Sequence, residues 1–123
     1  MDAIAKMKAA AREGWSTFAP FESVTSTAAP TLIEFAGIAP GQRVLDVACG
    51  TGVVAITAAR AGAQVCGLDL TPALLARARE NAALATAAIE FHEGDVEDLP
   101  FGDAEFDCVV SQFGHMFGPR PDI

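Results

Sequence analysis

Asp46, Asp69 and Asp95 each close or follow a short apolar run, and the first leads into Ala48-Cys49-Gly50-Thr51-Gly52. Two glycines so close together let the backbone bend tightly and let a ligand approach where a Cβ would collide. A helix starting directly behind them offers free N–H groups to that ligand. Asp69 lies 19 residues beyond Gly50, where a carboxylate can accept two hydrogen bonds from the vicinal hydroxyls of a ribose. Asp95, in Gly94-Asp95-Val96, can take an adenine amino group while its apolar neighbour covers the ring. The three acids together suit a nucleoside whose polar atoms are donors and which carries no phosphate. Taken singly, each is also readable as a solvated turn carboxylate.

Gly50-Thr51-Gly52-Val53-Val54-Ala55 also satisfies the GxGxxA form of the dinucleotide fingerprint, with Asp69 near the ribose position. A nicotinamide-dependent oxidoreductase is therefore a competing reading. Against it, Asp46 sets a negative charge where a pyrophosphate would lie, whereas an ammonium or sulfonium group would be favoured there. Residues 90–107 hold eight acids and no Lys or Arg, a field that favours a cation.

The elements that must position these residues follow from periodicity. Ile4, Met7, Ala11, Trp15 and Phe18 recur at three- and four-residue spacing, an amphipathic helix ending near Gly14. It reads as a helix packed on the domain, with a lid over a ligand as the alternative. A second helix is expected over Ser26–Phe35, with Pro30 in its first turn and Gly37 as C-cap. After Pro40-Gly41, strands at Arg43–Ala48, Gln64–Leu68, Ala88–His92 and Phe106–Ser111 alternate with helices at Val53–Ala61 and from Thr71-Pro72 to Leu84. That alternation predicts an α/β fold, a Rossmann-like parallel sheet with helices on both faces. Residues 1–39 form the helical segment and residues 40–123 the sheet unit. In open parallel sheets the ligand sits at the C-terminal strand ends, where the acids lie.

With 123 residues and a formal net charge of -8, the chain forms one domain and lacks the basic face a nucleic-acid binder needs. No apolar run approaches a membrane span, and the N-terminus has no secretory pattern. Cys49, Cys66 and Cys108 show no CxxC spacing and no nearby paired His, so they read as small buried thiols of a reducing cytoplasm. Neither His92 nor His115 reads as a metal site. Phe18, Phe21, Phe113 and Phe117 read as core, with an aromatic acceptor pocket as the alternative.

Through VLDVACGTG (44–52), Leu68-Asp69-Leu70-Thr71 and GDVEDLPFGDAEFDCVVSQFG (94–114), the sequence resembles the class I S-adenosylmethionine-dependent methyltransferases. The likeness is strongest to the broad subgroup that includes ubiquinone and menaquinone biosynthesis enzymes. It runs from about residue 40 to 117, with Ala48 where many members carry glycine.

The resemblance implies that Asp46 and the backbone of Ala48, Cys49, Gly50, Thr51 and Gly52 hold the methionine part of S-adenosylmethionine, and afterwards of the product S-adenosylhomocysteine. Asp69 would bind the ribose hydroxyls, Leu70 the adenine face, and Asp95 and the Val96 N–H the adenine edge. The Ser111 carbonyl would meet the ammonium, with Gln112 beside it. His115 is the candidate base should a small-molecule acceptor present a hydroxyl.

The family's sheet has seven strands ordered 3-2-1-4-5-7-6, and this sequence carries the 3-2-1-4 half. Its fourth strand, apolar on both faces, is expected to pair, most simply with that of a second copy in a homodimer, or with a separate C-terminal half. A fragment that binds the cofactor or oligomerises without turnover is the further alternative.

Overall fold

The computed structural model describes residues 2–16, 25–114 and 119–120. Helix α1 (Ala3–Trp15) starts at Asp2, whose side chain accepts from the Ala5 N–H at 2.7 Å. Helix α2 (Ala29–Ala36) has Pro30 in its first turn, where a missing N–H costs nothing, and stops at Gly37, whose φ of 67° closes the last turn. Strand β1 (Arg43–Val47), helix α3 (Val53–Arg60), strand β2 (Gln64–Asp69), helix α4 (Pro72–Leu84), strand β3 (Ile89–Glu93) and strand β4 (Cys108–Val110) follow. Among the described residues no helix is long and apolar enough to cross a membrane.

The four strands form one parallel sheet in the order β3-β2-β1-β4. The chain leaves β1 towards β2 on one side and returns to β4 on the other, so the strand order reverses beside β1. That divergence opens a crevice at the C-terminal ends of the strands.

Alternation along the strands separates two cores. Val44, Val65 and Val110 face Ala29 and Ile33 of α2 and Val54, Ala55 and Ala58 of α3. The small α3 residues let that helix lie close on the sheet. Phe91 of β3 lies across Gly67 of β2, where a Cβ would come within 2.7 Å of the ring. On the opposite face Leu45, Val47 and Leu68 are covered by Val96, Phe101 and Phe106. The rings of Phe101 and Phe106 meet edge to face at 5.1 Å.

The α/β class and strand order are as the sequence implied, but the covering of this second face differs from the expected helices. Among the described residues the β3–β4 connection covers it. Gly94, Pro100 and Gly102 punctuate that connection and deny it a helical repeat.

Strand β4 is shorter than expected and sits at a sheet edge, paired with β1. Its Val109 is 57% exposed.

Candidate functional site

At the C-terminal ends of β1 and β2 lies a cavity of about 490 Å³, roofed by Met7, Lys8, Ala11 and Trp15 of α1. Its wall includes Asp46, Asp69 and Asp95, so the structure brings the three acids singled out in the sequence to one hollow. Ala48, Cys49, Gly50, Thr51, Leu70 and Val96 line it too.

The loop after β1 owes its shape to a run of left-handed residues: Ala48 at φ 56°, Gly50 at 56° and Gly52 at 85°. The Cys49 N–H donates to the Leu68 carbonyl at 2.9 Å, which keeps the turn attached to β2. Gly50 and Gly52 then serve different purposes. A Cβ on Gly50 would meet nothing within 4 Å, so this residue keeps the cavity open. A Cβ on Gly52 would press on Ala78 at 3.3 Å and the Phe91 ring at 3.4 Å. Gly52 is absent from the cavity wall, so its glycine is explained by packing against α4 and β3, not by ligand approach.

Asp69 is 7% exposed and holds the loop together. Its Oδ2 accepts from the Gly50 N–H and its Oδ1 from the Thr71 N–H, each at 2.8 Å. Burial pushes its carboxyl up from the ordinary value, and the backbone hydrogen bonds from Thr71 and Gly50 oppose that shift. Hydrogen bonds from the Thr71 side chain and the Leu70 backbone oppose it as well, so a ligand hydroxyl would share this carboxylate with protein donors.

Asp46 is 1% exposed. Burial drives its carboxyl up to about 8, against the backbone hydrogen bond from Ala55 in the first turn of α3, and the charge of Asp69 pushes the same way as burial. Its Oδ2 is buried without a hydrogen-bond partner. A buried acceptor in a cavity wall is a place where a ligand donor belongs. The same burial, reinforced by Asp46 and Asp69, raises the Cys49 thiol well above its usual range, so Cys49 is an inert packing group.

Asp95 departs from its expected availability. Lys8 of α1 lies 2.5 Å from Asp95 Oδ2 and 2.7 Å from Glu97 Oε2. Hydrogen bonds to both acids raise the Lys8 pKa, and the Lys8 hydrogen bond leads the causes that hold Glu97 low. Arg120 also pairs with Glu97 at 2.9 Å, and Arg12 lies 3.4 Å from Glu93 while donating to the Leu70 carbonyl at 2.9 Å. The acidic stretch 90–107 is thus partly neutralised by cations from both ends of the chain. Nothing in the sequence around Lys8 and Arg12 indicated the partners they find.

Ser111 does not reach the main cavity. It lines a shallow groove with Leu32 and Phe35 of α2, whereas Gln112 lines both hollows. The Gln112 side-chain amide donates to the Thr25 carbonyl at 2.8 Å, and its Oε1 is buried without a partner. Phe113 borders the cavity. His115, Phe18, Phe21 and Phe117 lie outside the described residues.

The residues present fit a nucleoside bearing a cationic amino-acid tail: an orphaned buried carboxyl oxygen, a glycine opening onto free space, and a second carboxylate in the cavity wall.

Residues 44–123 match the family described as methyltransferase domain. An uncharacterized protein of Mycobacterium tuberculosis is 46% identical over 98 residues, covering 80% of this chain and 36% of that protein. A demethylmenaquinone methyltransferase of Chlorobaculum parvum is 47% identical over 73 residues, 58% of this chain and 29% of that enzyme. Among solved structures, an RNA methyltransferase from Salinibacter ruber in complex with S-adenosyl-L-homocysteine superposes with a TM-score of 0.64 and 28% identity, over 69% of this chain and 56% of that one. The chain spans about a third of the length of the first curated relatives it matches, 36% in each case.

Proposed function

The chain belongs to the methyltransferase domain family, and from that premise we propose that it forms the S-adenosylmethionine-binding half of a methyltransferase acting on a small molecule. The observation that carries this reading is the buried, unpartnered Oδ2 of Asp46 in the cavity wall beside the open Gly50 turn. Asp46 and the loop backbone would hold the methionine part, with Asp46 acting through water on its ammonium. Asp69 would accept from the ribose hydroxyls, and Leu70 and Val96 would flank the adenine. Asp95 becomes available to the adenine amino group when Lys8 lets go of it, which makes α1 a lid.

Bound S-adenosylmethionine supplies an electrophilic methyl group on a sulfonium. The protein's share is to hold the cofactor, exclude water and align an acceptor, and such positioning is worth about 7 to 11 kcal/mol. Met7, Trp15 and Phe113 at the cavity give it an apolar rim suited to a small apolar acceptor. The net charge of -8 argues against RNA as that acceptor. His115 remains the candidate base, and His115→Ala should then lower turnover with cofactor affinity unchanged.

The place of β4 at the end of the sheet among the described residues supports a further strand beside it, from a second copy of this chain or from the remainder of a longer protein. The relatives' greater length supports the latter. The free thiols of Cys49, Cys66 and Cys108 suit the cytoplasm.

Calorimetry with S-adenosylmethionine, S-adenosylhomocysteine and NAD tests the reading. The two sulfur nucleosides should bind and NAD should not. A preference for NAD would overturn the proposal in favour of an oxidoreductase, and binding without turnover over an acceptor panel would point to the non-catalytic alternative.

A further inference from the structure

Strands β2 and β3 place three metal-ligating side chains together on the face away from α3. Their register pairs Cys66 with Glu90 and Leu68 with His92. Cys66 and Glu90 are therefore direct cross-strand neighbours, and His92, two residues beyond Glu90, shares their face. Cys66 Sγ lies 3.7 Å from Glu90 Oε2, and His92 Nε2 lies 3.6 Å from the same oxygen. All three ligand atoms fall within 4.8 Å of one another. None of these residues lines the cavity described above.

These separations can be compared with what a metal requires. Zinc bonds of about 2.3 Å to sulfur and about 2.0 to 2.2 Å to nitrogen and oxygen, at tetrahedral angles, set neighbouring ligand atoms roughly 3.4 to 3.6 Å apart. Both pairs made with Glu90 lie close to that spacing, and Cys66 and His92 lie within 4.8 Å of each other. The His92 Nε2 is buried and has no hydrogen-bond partner, an unusual state for a ring nitrogen facing a thiol and a carboxylate. The Phe101 ring, 5.6 Å away and edge-on at 86°, restrains the imidazole.

We infer that Cys66, Glu90 and His92 form a three-ligand site for a divalent transition metal of the zinc type, clipping β3 to β2. This departs from the expectation of no metal site, which rested on spacing along the chain; the three ligands come together across two strands. A thiolate, an imidazole and one carboxylate suit zinc, whereas magnesium demands an oxygen octahedron that these residues do not offer. The Glu90 side chain is 79% exposed and that of His92 is 41% exposed, so water completes the fourth position. Glu90 and Glu105 add negative charge near Cys66, and Arg43 opposes them. On binding, the Cys66 thiol loses its proton to solvent as the metal–sulfur bond forms.

The test uses the full chain after chelator treatment, with Zn2+ and Mg2+ in equilibrium dialysis and Co2+ followed by absorption. One Zn2+ per chain is expected, with no retained Mg2+ and a thiolate-to-cobalt charge-transfer band. Cys66→Ser, Glu90→Gln and His92→Gln should each weaken zinc binding about tenfold or more, by analogy with losses at supporting residues of metal sites. Cys108→Ser should leave it unchanged. Should Cys66→Ser fail to fold, the exposed Glu90→Gln variant carries the test. Unchanged zinc affinity in Glu90→Gln and His92→Gln, or cobalt binding without a thiolate band, would overturn the inference. The readouts do not involve S-adenosylmethionine, so they stand apart from the fate of the proposed function.

Discussion

Ionisation of Asp46 should couple both stability and ligand binding to pH, and Asp46→Asn isolates the effect. In the folded chain its carboxyl is pushed up to about 8 from an ordinary value of 3.8. Between those limits the folded chain retains a proton that the unfolded chain has released. Stability therefore falls as pH rises, at up to about 1.4 kcal/mol per pH unit, or about 5 to 6 kcal/mol over the whole interval. Asn keeps the shape and an oxygen for the Ala55 N–H, yet never ionises.

Urea melts from pH 5 to pH 9 should show the wild-type chain losing stability through that range. The variant should lack most of this loss and become the more stable protein near pH 8. Binding reports the same group from the other side. An ammonium placed beside Asp46 favours its carboxylate, so cofactor binding at pH 7 should release a proton. Calorimetry in two buffers of different ionisation enthalpy counts that proton, and affinity should rise up to about tenfold per pH unit below 8. Identical pH slopes in the two proteins, together with binding that releases no proton, would refute the assignment of Asp46 as the buried, ligand-facing acid.

Four further substitutions address the loop and its contacts with α1. Gly50→Val should abolish measurable cofactor binding, because its side chain would enter open cavity space; Asp69→Ala should weaken binding by about 1 to 3 kcal/mol and also cost stability, because the Gly50 and Thr71 N–H groups lose their acceptor. Calorimetry and urea melts separate the two effects, and normal binding by Gly50→Val would remove the loop from the site. Lys8→Met frees Asp95 and Glu97 from their shared cation, so amide exchange in α1 should accelerate; unaltered exchange would show that this pairing does not hold the helix down. Gly114→Ala should destabilise the chain, since its Cβ would stand 2.4 Å from the Ala48 Cβ. Ala48→Gly should partly rescue it in a double-mutant cycle, and additive effects would contradict the contact.

Much of the framework was legible because it depends on near neighbours. The short apolar runs of β1 and β2, the glycines after β1 and Thr71-Pro72 ahead of α4 are local backbone chemistry, and each element lies within a few residues of its expected bounds. The positions of Asp46, Asp69 and Asp95 followed, because strand ends in a parallel sheet share one edge. Gly52 was less legible: a glycine for ligand approach and a glycine for packing against Ala78 look the same in sequence.

By itself, then, the sequence determined the parallel α/β unit and the three acids at its strand ends. Tertiary structure alone decided what those acids meet. Lys8 reaches Asp95 across 87 residues, Arg120 reaches Glu97, and Cys66, Glu90 and His92 converge across two strands. The physical reason is range. Backbone preferences act over one or two turns of chain, whereas pairing of charges and ligands depends on how whole elements are oriented in space.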